Sequence, residues 1–92
     1  MLQRYTNPEK VFQNAKRLYG DDVQIKISTR KDKKYMLLNP ENNKWVHFGQ
    51  KGFLDFTKTL DLKKREAFRI RNKKWSKLDK YSAGFISYYL LW

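Results

Sequence analysis

Hydrophobic positions along this chain change period twice, and each change predicts a different kind of element. Val11, Phe12, Ala15, Leu18 and Tyr19 fall on one face of a helix over residues 6–20. Thr6 and Glu9 stand at capping-box spacing, Pro8 suits the first turn, and Gly20 sits where a helix ends. The period then drops to two: Val23, Ile25 and Ile27 alternate with Gln24, Lys26 and Ser28, a half-buried strand over 23–29. The charged stretch Arg30–Lys34 makes a turn, and Lys34–Leu38 a second strand. Asn39-Pro40-Glu41-Asn42-Asn43 is dense in turn formers and leads to a third strand, Lys44–Phe48, ended by Gly49. Three strands with short connections predict an antiparallel meander paired in chain order.

Beyond Gly52 the helical period returns. Phe53, Leu54 and Phe56 suggest a short helical turn, and Asp61 can cap a helix over about 62–72. The apolar positions Leu62, Phe68 and Ile70 do not share a stripe. Ser82 can cap a last helix carrying Phe85, Ile86, Tyr89 and Leu90. The expectation is a single α+β domain over 1–92: an N-terminal helix, a three-stranded antiparallel meander, and two to three short helices packed on it. The last helix is apolar around much of its circumference, which suits a central position or a homodimer interface.

Charge changes the picture from fold to partner. Lys and Arg number 21 against nine acids, a formal +12 with a pI near 10.0. Such a balance is the electrostatic mark of a polyanion binder. Ten cations lie between Lys58 and Lys80: Lys58, Lys63, Lys64, Arg65, Arg69, Arg71, Lys73, Lys74, Lys77 and Lys80. Arg65 and Arg69 are i, i+4 neighbours that repel unless an anion neutralises them. A second cluster is Arg30, Lys31, Lys33 and Lys34, a turn that can reach a phosphate backbone or simply protect a sheet edge. Trp75 sits among lysines and Trp45 on the third strand; each is a stacking platform for a base or a core residue.

Catalysis finds little material. With no Cys and one His, neither a nucleophile–base set nor a metal-ligand set stands out. Gly49-Gln50-Lys51-Gly52 has neither P-loop nor dinucleotide spacing. A metal-dependent nuclease would have to recruit Asp55, Asp61 or Glu66. The reading is therefore a non-enzyme with no catalytic residue, no metal site and no cofactor. Absence of Cys suits a reducing compartment. The start, Met1–Tyr5, lacks the apolar core of a leader, and the apolar run Tyr88–Trp92 is far too short to span a bilayer.

One block is more specific than composition. Trp45-Val46-His47-Phe48-Gly49 continues through Gly52-Phe53-Leu54-Asp55-Phe56-Thr57, then Asp61-Leu62-Lys63-Lys64-Arg65, Phe68, Trp75, Ser82-Ala83-Gly84-Phe85 and Leu90-Leu91-Trp92. Over about 35–92 this resembles a small basic domain of unknown function found in nucleocytoplasmic large DNA viruses, giant viruses included, with residues 1–33 outside its signature. The chain has Asp61-Leu62 where that domain has Asp-Pro, and lacks its histidines near Thr59-Leu60 and Asn72. The resemblance implies a viral protein, in the host cytoplasm or nucleus or inside the virion.

The function expected is a nucleic-acid-binding accessory protein, DNA ahead of RNA, contacting phosphates with low sequence specificity through 58–80 and 30–34. The alternative is a virion structural or protein-interaction module whose basic surface meets acidic viral or host proteins.

Overall fold

The computed structural model describes residues 4–92; Met1-Leu2-Gln3, where a leader would begin, lie outside them. The fold is α+β, as the pattern predicts. Helix α1 (Pro8–Tyr19) leads into β1 (Ile25–Ile27), β2 (Lys33–Asn39) and β3 (Lys44–Gln50). Short helix α2 (Phe56–Thr59), α3 (Leu62–Arg71), a 3-10 helix (Lys73–Lys77) and α4 (Ala83–Leu90) follow.

The sheet is an antiparallel meander in the order β1-β2-β3. Its register puts Ile25 opposite Leu37, Ile27 opposite Tyr35, and Tyr35 opposite Phe48. Period two then gives one face to Tyr35, Leu37 and Phe48. These close the core with Val11 and Ala15 from α1 and with Ile86, Leu90 and Leu91 from the α4 segment. Asn14 ties the two helices together, its Nδ2 donating to the Leu90 carbonyl at 3.0 Å. On the other face Lys26 lies over the Trp45 ring at 5.3 Å, and Ser28 Oγ meets His47 Nδ1 at 2.7 Å. The histidine is thus a hydrogen-bonding partner within the sheet.

Local chemistry explains the boundaries. The β2–β3 turn closes because Asn39 Oδ1 accepts from the Glu41 N–H and Asn42 Oδ1 from the Lys44 N–H, while Asn43 takes a left-handed φ of 59°. Asp61 caps α3 by accepting from the Lys63 and Lys64 N–H groups, and Ser82 caps α4 by accepting from the Phe85 N–H.

Three expectations need correction. The cap of α1 is Asn7, which accepts from the Lys10 N–H, and not Thr6. Thr6 is buried with its hydroxyl engaged elsewhere, so it is not free to cap. Strand β1 is shorter than 23–29, with Ile27 exposed at its end. Phe53 and Leu54 are exposed loop residues that precede α2.

Candidate functional site

Two features organise the half of the molecule that carries the charge: a buried polar chain and an open groove beside it. The first begins at Lys34. This residue was expected to join Arg30, Lys31 and Lys33 in contacting phosphates. It is instead buried, with 2% of its side chain exposed, and its Nζ lies 3.0 Å from Asp55 Oδ2. A solvated turn lysine is excluded because β2 already begins at Lys33 and carries Lys34 under the 50–56 segment.

The hydrogen-bond directions around Asp55 are fixed by its charge. The carboxylate can only accept, so Thr57 donates its hydroxyl to Asp55 Oδ1. Thr57 Oγ1 therefore accepts from Thr6 Oγ1 at 3.1 Å and from the Asn7 N–H at 3.0 Å. The Thr6 proton being committed, Tyr35 donates to Thr6 at 3.0 Å. The chain Tyr35, Thr6, Thr57, Asp55, Lys34 thus links strand, N-terminal segment and α2. Among the described residues no buried side-chain nitrogen or oxygen lacks a partner. Tyr35 is held protonated: burial, the larger influence, pushes its pKa upward, and the Asp55 carboxylate adds to that.

Backbone bonds complete the clasp. The Asp55 N–H donates to the Tyr5 carbonyl at 3.2 Å and the Phe56 N–H to the Leu91 carbonyl at 3.0 Å. Gly49 stands opposite Lys34 in the ladder with φ 77°. A Cβ there would lie 2.9 Å from Leu91 Cδ1 and 3.2 Å from Lys34 Cβ. The glycine and the Asp55-Phe56-Thr57 triplet of the signature are therefore folding residues, which charge-based reading did not reveal.

The groove, of about 610 Å³, runs between the end of β2–β3, the 49–54 loop, α3, the 3-10 helix and α4. Its wall is aromatic. Phe68 stacks on Trp92 at 4.4 Å with an 8° interplanar angle, and Trp75 meets Phe68 edge-on at 5.8 Å. Gly84 lets α4 approach, since a Cβ there would lie 3.1 Å from the Trp75 ring. Lys33, from one predicted cluster, and Arg71, from the other, both line this groove.

The remaining predicted contacts divide sharply. Lys63, Lys64, Lys73, Lys74, Lys77, Arg30 and Lys31 are exposed. Arg65 and Arg69 are half-buried, and each donates its Nε to the Trp92 carbonyl, at 2.8 and 3.1 Å. Arg65 also lies 4.7 Å over Phe56, and Arg69 5.3 Å over Tyr88. Partial burial first, then the neighbouring Arg69, lowers the Arg65 pKa, although a guanidinium remains charged. These two arginines moor α3, which buries no residue of its own. Of the two predicted stacking residues, Trp75 lines the groove and Trp45 lies on the other face of the sheet.

Asp55 and Asp61 hold structural hydrogen bonds, and among the described residues no three His, Cys, Asp or Glu side chains converge on a metal-sized centre. No described helix is long and apolar enough to cross a membrane. No curated protein and no solved structure matches the chain. A family does: the match takes in β1 and the turn after it, which the viral resemblance left outside, and ends before α4. Through residues 23–72 the chain belongs to the family of unknown function DUF5754.

Proposed function

We propose that the protein binds nucleic acid, DNA first, through phosphate contacts made by α3 and the 3-10 helix. One observation carries this reading. Among the described residues the only side-chain salt bridge is Lys34–Asp55, so Lys63, Lys64, Lys73, Lys74 and Lys77 stand exposed without a carboxylate partner. Cations left this way are available to displace counterions from a polyanion. The resemblance of 35–92 to a giant-virus domain supports a viral accessory role, beside a genome in the virion or in the host cytoplasm or nucleus.

The test is fluorescence anisotropy of labelled duplex DNA across a salt series, for the wild type and a Lys63, Lys64, Lys73, Lys74→Ala variant. Arg65 and Arg69 are left intact because they moor α3. Each neutralised phosphate contributes about 0.9 to the slope of log K against log salt, so the variant's slope falls by as much as about 3.6. Absence of binding at low salt, or an unchanged slope, refutes the proposal. A second reading, an acidic protein partner, draws on Leu62 and Ile70, which are 67% and 69% exposed among the α3 cations. Tighter binding to an acidic protein than to DNA at equal salt would favour it.

A further inference from the structure

We infer that the aromatic groove takes an unpaired nucleobase, so that the preferred ligand is single-stranded nucleic acid. The inference rests on the phosphate-binding reading above and specifies its substrate.

The groove separates two chemistries. Its wall carries the half-buried rings of Phe68, Trp75 and Trp92, with Phe68 and Trp92 each spending one face on their mutual stacking. Its charged members are Lys33, Lys34 and Arg71, and of these only Lys34 is neutralised, by Asp55. Free positive charge therefore comes from Lys33 and Arg71, which are not buried, while the buried lysine brings its own counterion. The Arg71 guanidinium lies 6.0 Å from the Phe68 ring, placing a cation directly beside the aromatic wall. A nucleotide has the complementary division: a flat base for the rings and a phosphate for the cations. The volume of about 610 Å³ lies in the range of sites that enclose small organic groups.

The opposite side supplies the second observation. Phe53 is 64% exposed and Leu54 45%, and both line the groove. The fold's core does not use them, and they sit in the connection between β3 and α2, directly after Gly52, which has a positive φ of 93°. An exposed ring beside cations is the arrangement by which single-strand binders hold bases without reading sequence. In a duplex the base faces are already covered by their neighbours, and a base must leave the stack before it can enter such a groove. An acidic peptide would satisfy Lys33 and Arg71 but would leave the rings without a planar partner.

Anisotropy titrations at fixed low salt compare labelled oligothymidylate, a duplex of equal length and polyglutamate. The proteins are wild type, F53A and F53Y, with folding checked by circular dichroism. The expected result is single-strand affinity about tenfold above duplex affinity. F53A loses about tenfold on the single strand and under twofold on the duplex, from the loss of one stacking partner, and F53Y restores binding. Tryptophan fluorescence should be quenched by the single strand. Equal single-strand and duplex affinities with no effect of F53A overturn the groove inference while leaving phosphate binding standing. Polyglutamate binding that matches the oligonucleotide and responds equally to F53A also overturns it. No nucleic-acid binding by wild type sinks both readings together.

Discussion

Removing Asp55 should destabilise this protein more than removing any of its surface charges. In Asp55→Ala the Lys34 ammonium keeps its place under the 50–56 segment, at 2% exposure, and loses its only carboxylate at 3.0 Å. Thr57 loses its acceptor at the same time. Breaking one side of a buried pair costs about 3–5 kcal/mol, because the surviving charge stays desolvated. Against a typical total of about 5–15 kcal/mol, that is enough to leave a small domain substantially unfolded at 37 °C. The cause can be separated from lost packing by pH. An unpaired buried lysine has a folded pKa below its unfolded value of about 10.4, so the unfolded chain binds more protons between those two values. Stability of Asp55→Ala should therefore rise with pH through that window, before tyrosine ionisation intervenes near pH 10. The Lys34→Met, Asp55→Asn double variant carries no buried charge and should recover most of the loss. Urea melts followed by circular dichroism, from pH 6 to 9.5, give all these quantities. A loss under about 1 kcal/mol for Asp55→Ala, with no pH dependence, would falsify the claim that the pair is shielded from water.

Other consequences follow from the same geometry. Gly49→Ala adds a Cβ 2.9 Å from Leu91 at a left-handed φ, and should lower stability by about 2–4 kcal/mol in a thermal or urea melt. Ser82→Ala removes the acceptor for the Phe85 N–H and should cost about 1 kcal/mol, while Ser82→Asp should cost less. Above pH 10 the protein should lose stability as pH rises. Tyr35 and Tyr19 both have pKa values raised mainly by burial, so the unfolded chain releases those protons first and the native state retains them. For the fully buried Tyr35 the slope is about 1.4 kcal/mol per pH unit. Tyrosinate absorbance that rises well before unfolding for all six tyrosines would contradict it.

What the sequence disclosed depended on how local each signal was. The α1 face apart from the exposed Leu18, the Asn-rich β2–β3 turn and the caps at Asp61 and Ser82 are set by residues within a few positions and are found in place, whereas the alternation read for β1 breaks at the exposed Ile27 and the buried Ser28. The misplaced cap of α1 shows the limit. Thr6 has the spacing of a cap, but its hydroxyl is claimed by Tyr35 and Thr57, which stand 29 and 51 residues away. The irregular apolar pattern of α3 has the same origin. Its anchoring lies in Arg65 and Arg69 holding Trp92, and in Phe68 stacked on that residue, so no apolar stripe is needed.

Charge alone is also silent on exposure, and this matters most for the site. Lys33 and Lys34 are adjacent, equally basic and indistinguishable in composition. Both line the groove, but Lys33 brings an unneutralised ammonium, whereas Lys34 is buried and neutralised by Asp55, a partner 21 residues away. The two clusters that drew attention in the sequence therefore contribute unequally. The 30–34 cluster gives the groove one free cation, Lys33, beside the paired Lys34, while the 58–80 cluster gives it Arg71 and uses two further arginines to moor a helix. Only folding brings Lys33 and Arg71 to one groove and sets Phe53 beside them. The specificity proposed for this surface thus resides less in the net charge of +12 than in the few cations that the fold leaves next to the exposed Phe53 ring.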